Sequence, residues 1–226
     1  MKVWALVSQK GGAGRSTLAT QLSAYACQIG EKTVVIDLDP QGSALAWHAI
    51  RGSGESPAVI PCLPEKLSKL LEAIRSNALA TMVIIDTAPH TNKGAIEAIS
   101  AADLIICPIR YGMFDAKSLE ATVSLISMVD AKGRAIGVVN AIREIKKTET
   151  SDVEEVSARI ERHGIRVAAR YLKDRRQYVE AVEAGKGVTE KVLKKNQKPD
   201  AAAQEIQDLY AELQETWPVV VPEGIA

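Results

Sequence analysis

Residues 9–17 read Gln-Lys-Gly-Gly-Ala-Gly-Arg-Ser-Thr, a glycine-rich run closed by an arginine and two hydroxyl residues. Such a run is suited to hold phosphate: residues without side chains let backbone N–H groups approach anionic oxygens, and a helix opening at its end adds partial positive charge. Ser16 is placed to offer its hydroxyl to Mg²⁺. The context fits, because Val3-Trp4-Ala5-Leu6-Val7 is a short apolar stretch suited to a buried strand and a helical pattern opens at Ser16. A dinucleotide fingerprint fails on spacing, since Gly12-x-Gly14 would need a third small residue where Thr17 stands. The run departs twice from the usual G-x-x-x-x-G-K-[ST] loop, with Gln9 in place of the first glycine and Arg15 in place of the lysine. Guanidinium keeps the charge but is planar and larger than ammonium. Nucleotide binding is therefore expected to survive this exchange better than hydrolysis, which depends on sub-ångström placement.

The elements that must position this loop are legible as apolar runs. Thr33–Asp37, Met82–Asp86, Leu104–Pro108 and Ala135–Asn140 do not alternate in polarity, and helical stripes such as Leu67, Leu70, Leu71 and Ile74 lie between them. That pattern predicts a parallel sheet covered by helices on both faces. Gly52–Pro64, rich in Gly, Ser and Pro, reads as a surface loop, and a last helix over about 200–216 turns Ile206, Leu209, Tyr210 and Leu213 inward. Ligands of such sheets bind at the C-terminal ends of the strands. Asp37, Asp86 and Asn140 end strands there, and Asp39 follows closely. Asp86 suits a water-mediated hold on Mg²⁺, or a cap for the next helix; Asp39 before Pro40 also suits an Asx-type turn, and Asn140 a plain turn.

The Lys10-Gly11-Gly12-Ala13-Gly14-Arg15-Ser16-Thr17 run resembles the deviant Walker A loop of the ParA/MinD family of dimeric ATPases. Asp86-Thr87-Ala88-Pro89 resembles that family's Walker B segment, and Asp37-Leu38-Asp39-Pro40-Gln41 its first switch segment. Arg170–Arg175 through Glu183–Glu190 resembles the late segment of ParA proteins, so the likeness runs from residue 2 to about residue 195. It implies an α/β fold of the P-loop NTPase kind, with a mostly parallel central sheet, and ATP and Mg²⁺ as cofactors. It further implies catalytic roles for Lys10, Arg15 and Asp39, with Lys10 reaching across a homodimer to the partner's nucleotide and Asp39 orienting the attacking water. Nucleotide would be held by residues 10–17 and by Asn140, whose carboxamide matches an adenine edge; Mg²⁺ would be held near Ser16, Asp37 and Asp86.

Composition sets the outer bounds. The 226 residues, 46% hydrophobic, suffice for one α/β domain over 1–226, with a C-terminal helix at 200–217 and an irregular tail at 218–226. Cys27, Cys62 and Cys107 match no metal spacing and suit a reducing cytoplasm, and no run approaches the ~20 apolar residues of a membrane span. Met1 leads straight into a strand, so no signal peptide is expected. Net charge is zero, yet residues 166–198 hold ten Lys/Arg against four acids while 199–226 hold six acids and no Lys or Arg. A block of that kind predicts a polyanion partner; the family resemblance implies that this partner is duplex DNA, bound without sequence preference on a nucleoid, and the expected contacts are Arg170, Arg175, Arg176, Lys191, Lys194 and Lys195. The family resemblance adds a ParB-like or cargo-adaptor protein that stimulates hydrolysis. A MinD-like membrane switch needs a basic amphipathic C-terminal helix, which the acidic tail and Trp217–Pro222 cannot supply. An iron–sulfur relative is excluded for want of matching cysteines.

Overall fold

The computed structural model describes residues 1–52, 54–110, 115–142, 149–190 and 200–216. Among these, seven strands form one sheet: β1 (Lys2–Leu6), β2 (Thr33–Asp37), β3 (Ala58–Pro61), β4 (Met82–Asp86), β5 (Leu104–Arg110), β6 (Ala135–Asn140) and β7 (Arg166–Val167). Their order is β3-β2-β4-β1-β5-β6-β7, and every pairing is parallel. The helices are α1 (Arg15–Gln28), α2 (Ser43–Arg51), α3 (Leu67–Ser76), α4 (Asn92–Ala101), α5 (Asp115–Met128), α6 (Glu149–Glu161), α7 (Arg176–Glu183) and α8 (Ala201–Glu215).

The apolar strands do not alternate because both faces are covered. Val3 and Ala5 of β1 join a core with Leu71 of α3, Ile99 of α4, Ile126 of α5 and Ile160 of α6. Trp4 and Leu6, pointing the other way, pack with Leu18 and Leu22 of α1, Tyr178 of α7 and Ile206, Leu209 and Leu213 of α8. Each fully buried aliphatic side chain contributes about 1.5–3 kcal/mol, so α8 is held by its stripe, with the Tyr210 ring 5.3 Å from both Trp4, tilted, and Tyr25, edge to face. Asp200 starts α8 by accepting a hydrogen bond from Ala203 N at 2.9 Å. The observed helix ends at Glu215; Trp217 and the 218–226 tail lie outside the described residues.

One expectation is corrected, and one helix is new. The 52–64 stretch is not all loop, because Ala58–Pro61 forms edge strand β3 beside β2. Its brevity and its Pro61 hid it, and an edge is where a strand tolerates proline. Helix α2 is also absent from the sequence pattern. Its start is organised from a distance, by Asp37 at the end of β2 accepting from Leu45 N at 3.1 Å. Trp47 on α2 is buried among Ala24, Val35, Ala44 and Val59, so it is a core residue.

The register brings the strand ends together. Leu6 and Asp37 both pair with Asp86, across β1, β4 and β2, and Arg110 pairs with Asn140 across β5 and β6. The glycine-rich loop leaves β1 at the centre of this edge.

Candidate functional site

The loop between β1 and α1 is held from inside by Arg15. This residue is only 6% exposed. Its Nε donates to Thr87 O at 2.8 Å, and its Nη1 donates to Ser8 O at 2.5 Å and to Lys10 O at 2.6 Å. The guanidinium thus turns back into the loop. Burial lowers its pKa, and the charges of Asp86 and Asp39 offset that in part. Thr87 completes the brace, its hydroxyl donating to Leu6 O at 2.7 Å. Gln9, at the missing first glycine, is buried, and its backbone N turns away from the cradle to donate to Thr122 Oγ1 on α5 at 3.0 Å.

The open side of the loop is suited to a ligand. Nothing lies within 4 Å of where a Cβ would sit at Gly11 or Gly12. Gly14 differs: its φ is +98°, and a Cβ there would collide with the Asn140 amide nitrogen. Asn140 therefore sits hard against the loop, its Nδ2 donating to Ala13 O at 2.7 Å. Beside it opens a cavity of about 450 Å³, whose wall includes Gly12, Thr17, Arg110, Asn140, Asp174 and Tyr178.

The carboxylates occupy the other side. Asp86 is fully buried, and neither of its oxygens has a hydrogen-bond partner. Burial pushes its carboxyl up to about 7; the nearby Ser16 hydroxyl pulls the value back in part without reaching hydrogen-bond geometry, and Asp37 pushes it further. Asp37 is also raised by burial, but backbone amides stabilise its charge: Oδ1 accepts from Asp39 N at 3.0 Å and Oδ2 from Leu45 N. Asp39 forms the Asx-type turn, its Oδ1 accepting from Gln41 N at 2.9 Å. An orphaned buried carboxylate beside a loop serine is a donor set that fits Mg²⁺, a hard cation that prefers oxygen ligands and keeps much of its water. Among the described residues no group of three or more His, Cys, Asp or Glu could hold a metal ion by itself.

Residues 4–188 match the CbiA family, described as the CobQ/CobB/MinD/ParA nucleotide binding domain. The chain belongs to this family. A carboxysome-distribution protein A from Gloeobacter kilaueensis is 31% identical over 158 residues, which is 63% of this chain and 71% of the relative. The chromosome partitioning protein ParA of Caulobacter vibrioides is 27% identical over 186 residues, 65% of this chain and 67% of the relative. The solved ATP complex of a single-residue variant of Cyanothece McdA superposes with a TM-score of 0.67 at 18% identity, over 96% of this chain and 95% of that one. The last is a likeness of fold. As a member of this family the chain is a nucleotide-binding ATPase; the Cyanothece McdA neighbour is solved with ATP, and a cobyrinic acid a,c-diamide synthase from Mycobacterium smegmatis, with a TM-score of 0.62 at 18% identity over 80% of this chain and 92% of that one, with ADP and magnesium.

The sequence-predicted residues divide in this CbiA-family structure. Residues 10–17, Asp37, Asp39, Asp86 and Asn140 come together around the loop. Among the described residues the basic stretch is partly paired with acids. Arg175 is drawn inward, Nε and Nη2 paired with Glu205 of α8 at 2.8 and 2.7 Å, in contact with the acidic helix that a charge count along the chain sets apart. Arg170 lies 3.8 Å from Asp208, and its N donates to Glu212 at 2.8 Å. Arg176, with its side chain 88% exposed, pairs with Glu180 within the same helix. Lys191, Lys194 and Lys195 lie outside the described residues. Folding back of α8 thus neutralises charge that looks free when counted along the chain.

Sequence reasoning missed Arg110 and the Arg51–Glu190 pair. Arg110 carries the same signal as Asn140, a polar residue ending an apolar strand at the ligand edge. Arg51 carries none. At the end of α2 it grips Glu190 with two guanidinium nitrogens, donates to Gly185 O at 3.0 Å and lies 5.1 Å from the Trp47 ring. A Cβ at Gly185 would press on the Arg51 backbone, so the turn after α7 is built against α2.

Proposed function

We propose that this chain is a ParA-like dimeric switch. ATP and Mg²⁺ close a homodimer, the dimer binds duplex DNA without sequence preference, and a ParB-like or cargo-adaptor protein stimulates hydrolysis. The cycle partitions or positions a plasmid or other large cargo along the nucleoid. The observation that carries the reading is the Asp86 carboxylate, buried without a partner beside the loop. A charge in that setting needs a cation. The names of the relatives, carboxysome distribution and chromosome partitioning, support positioning as the task.

In this reading backbone amides of residues 11–17 cradle the phosphates, with α1 opening at Arg15 behind them. Ser16 and Asp86 hold Mg²⁺, which supplies charge against the phosphate oxygens. Asp37 anchors the switch turn through its two amide contacts. Asp39 has one oxygen fixed by Gln41 N, which aims the carboxylate at water in line with the γ-phosphate. Lys10 serves the partner's nucleotide. Asn140 keeps its Nδ2 on the loop and presents Oδ1 to the adenine amino group. DNA contacts fall to Arg170, whose side chain is 60% exposed, to Arg176 and to Lys191, Lys194 and Lys195, since Arg175 is committed to α8.

One observation favours a second reading, an ATP-binding DNA module with impaired hydrolysis: the Arg15 guanidinium points into loop carbonyls and away from the open cradle. One experiment tests both. DNA-binding anisotropy with and without ATP and Mg²⁺ is measured alongside phosphate release with DNA and candidate adaptors. Binding should require ATP. If each subunit neutralises about three phosphates, log K should fall against log[salt] with a slope of about −5. ATP-independent or absent DNA binding overturns the DNA role, and binding without phosphate release selects the second reading.

A further inference from the structure

We propose that Arg110 is the side chain that holds the phosphate adjoining the ribose, a binding role the loop arginine has given up. The inference rests on the nucleotide reading above and adds the cation that reading lacks. Arg15 turns its Nε and Nη1 onto three backbone carbonyls, which leaves only Nη2 to serve a ligand from the usual lysine position. Arg110 stands across the loop from it. Being the last residue of β5, in register with Asn140 of β6, it reaches the C-terminal edge of the sheet where ligands bind. Its Nη1 donates to Gly12 O at 3.3 Å, a long bond, while Asn140 takes the adjoining Ala13 O at 2.7 Å. Two strand-end side chains thus flank the open face of the loop, one on each of two successive carbonyls.

Arg110 has the capacity for a further ligand. A guanidinium carries five donors in a planar fork that fits phosphate oxygens. Among the described residues its one bond is this long contact to a loop carbonyl, which leaves most of the fork for an anion. Its position selects the phosphate. Arg110 lines the cavity together with Gly14, Thr17 and Asn140, whereas Asp37, Asp39 and Asp86 are absent from that wall. The carboxylates that would hold Mg²⁺ near the terminal phosphates thus do not line the cavity that Arg110 lines. A cation on the nucleoside side meets the first phosphate, which ATP and ADP share.

The test is isothermal titration of ATP and of ADP, each with Mg²⁺, into wild type, Arg110→Ala and Arg110→Lys. Arg110→Ala should weaken ATP and ADP by the same factor, about tenfold or more for a lost charge-assisted contact. Arg110→Lys should recover part of the loss, and adenosine affinity should not change. The nucleotide-free melting temperature of Arg110→Ala should match wild type, which keeps a binding defect apart from misfolding. Equal affinities in wild type and Arg110→Ala overturn the proposal, and so does a loss confined to ATP, which would move the contact to a terminal phosphate. A wild type that binds neither nucleotide overturns the underlying nucleotide reading instead.

Discussion

Replacing Arg15 tests whether the loop is held by its own arginine. Three hydrogen bonds from one charged group, at 2.5, 2.6 and 2.8 Å, tie Ser8, Lys10 and Thr87 together across two strands. A hydrogen bond to a charged group contributes about 1.5–3 kcal/mol, and breaking it leaves the partner to find water. The three share one guanidinium and are not additive, and desolvation of Arg15 opposes them. Arg15→Ala should therefore cost about 2–4 kcal/mol. For a protein of this size that is roughly 5–15 °C in melting temperature, followed by circular dichroism without nucleotide. Arg15→Lys should fall between, because a compact ammonium on a flexible stem reaches fewer of these carbonyls. The same lysine can enter the cradle, so phosphate release with DNA and adaptor should rise more than ATP affinity changes. A melting temperature for Arg15→Ala within about 2 °C of wild type would refute the brace. Unchanged turnover in Arg15→Lys would refute the claim that placement, and not charge, limits hydrolysis.

Three further outcomes follow from the same geometry. Lys10→Ala should bind nucleotide as a monomer yet fail to dimerise with ATP, and normal ATP-dependent dimers in light scattering would remove the cross-subunit role. The Asp86 carboxyl, held at about 7 against its ordinary 3.8, binds its proton more tightly in the folded state. Its contribution to stability is therefore full below about pH 4 and is lost as pH rises through about 7, a swing of up to about 4 kcal/mol. Urea unfolding of metal-free protein should show wild type losing stability between about pH 4 and about pH 7 relative to Asp86→Asn, a gap that ATP with Mg²⁺ closes; parallel pH profiles would show that Asp86 is not the titrating group. Arg51→Ala should lower stability by about 2–3 kcal/mol by stranding Glu190, and an unshifted urea midpoint would show the α2 contact to be idle.

What the sequence shows and what it hides differ by the range of the interactions involved. The phosphate loop, the strand-end Asp37, Asp86 and Asn140, and the long buried strands are local signals: glycine spacing, apolar runs, and a polar residue where a run stops. All of these recur in the structure, with Asp37 and Asp86 side by side across β2 and β4. Edge strand β3 and helix α2 escaped because they are short and are organised from elsewhere, α2 by the Asp37 carboxylate. The basic stretch is only partly legible for the converse reason. Charge counted along residues 166–198 cannot register that Glu205 and Asp208, far on in the chain, return to Arg175 and Arg170 when α8 packs its apolar stripe on β1. Arg15 is the sharpest case. From its position it is a cation aimed at phosphate, but the nearest strong acceptors to a buried guanidinium are the loop's own carbonyls, and a planar fork with five donors takes them. An ammonium, smaller and with fewer donors, could be shared with a ligand at less loss to the loop. In this chain, then, the residue type at one position assigns the arginine to architecture and leaves phosphate to the backbone amides and to whatever cation reaches the open face.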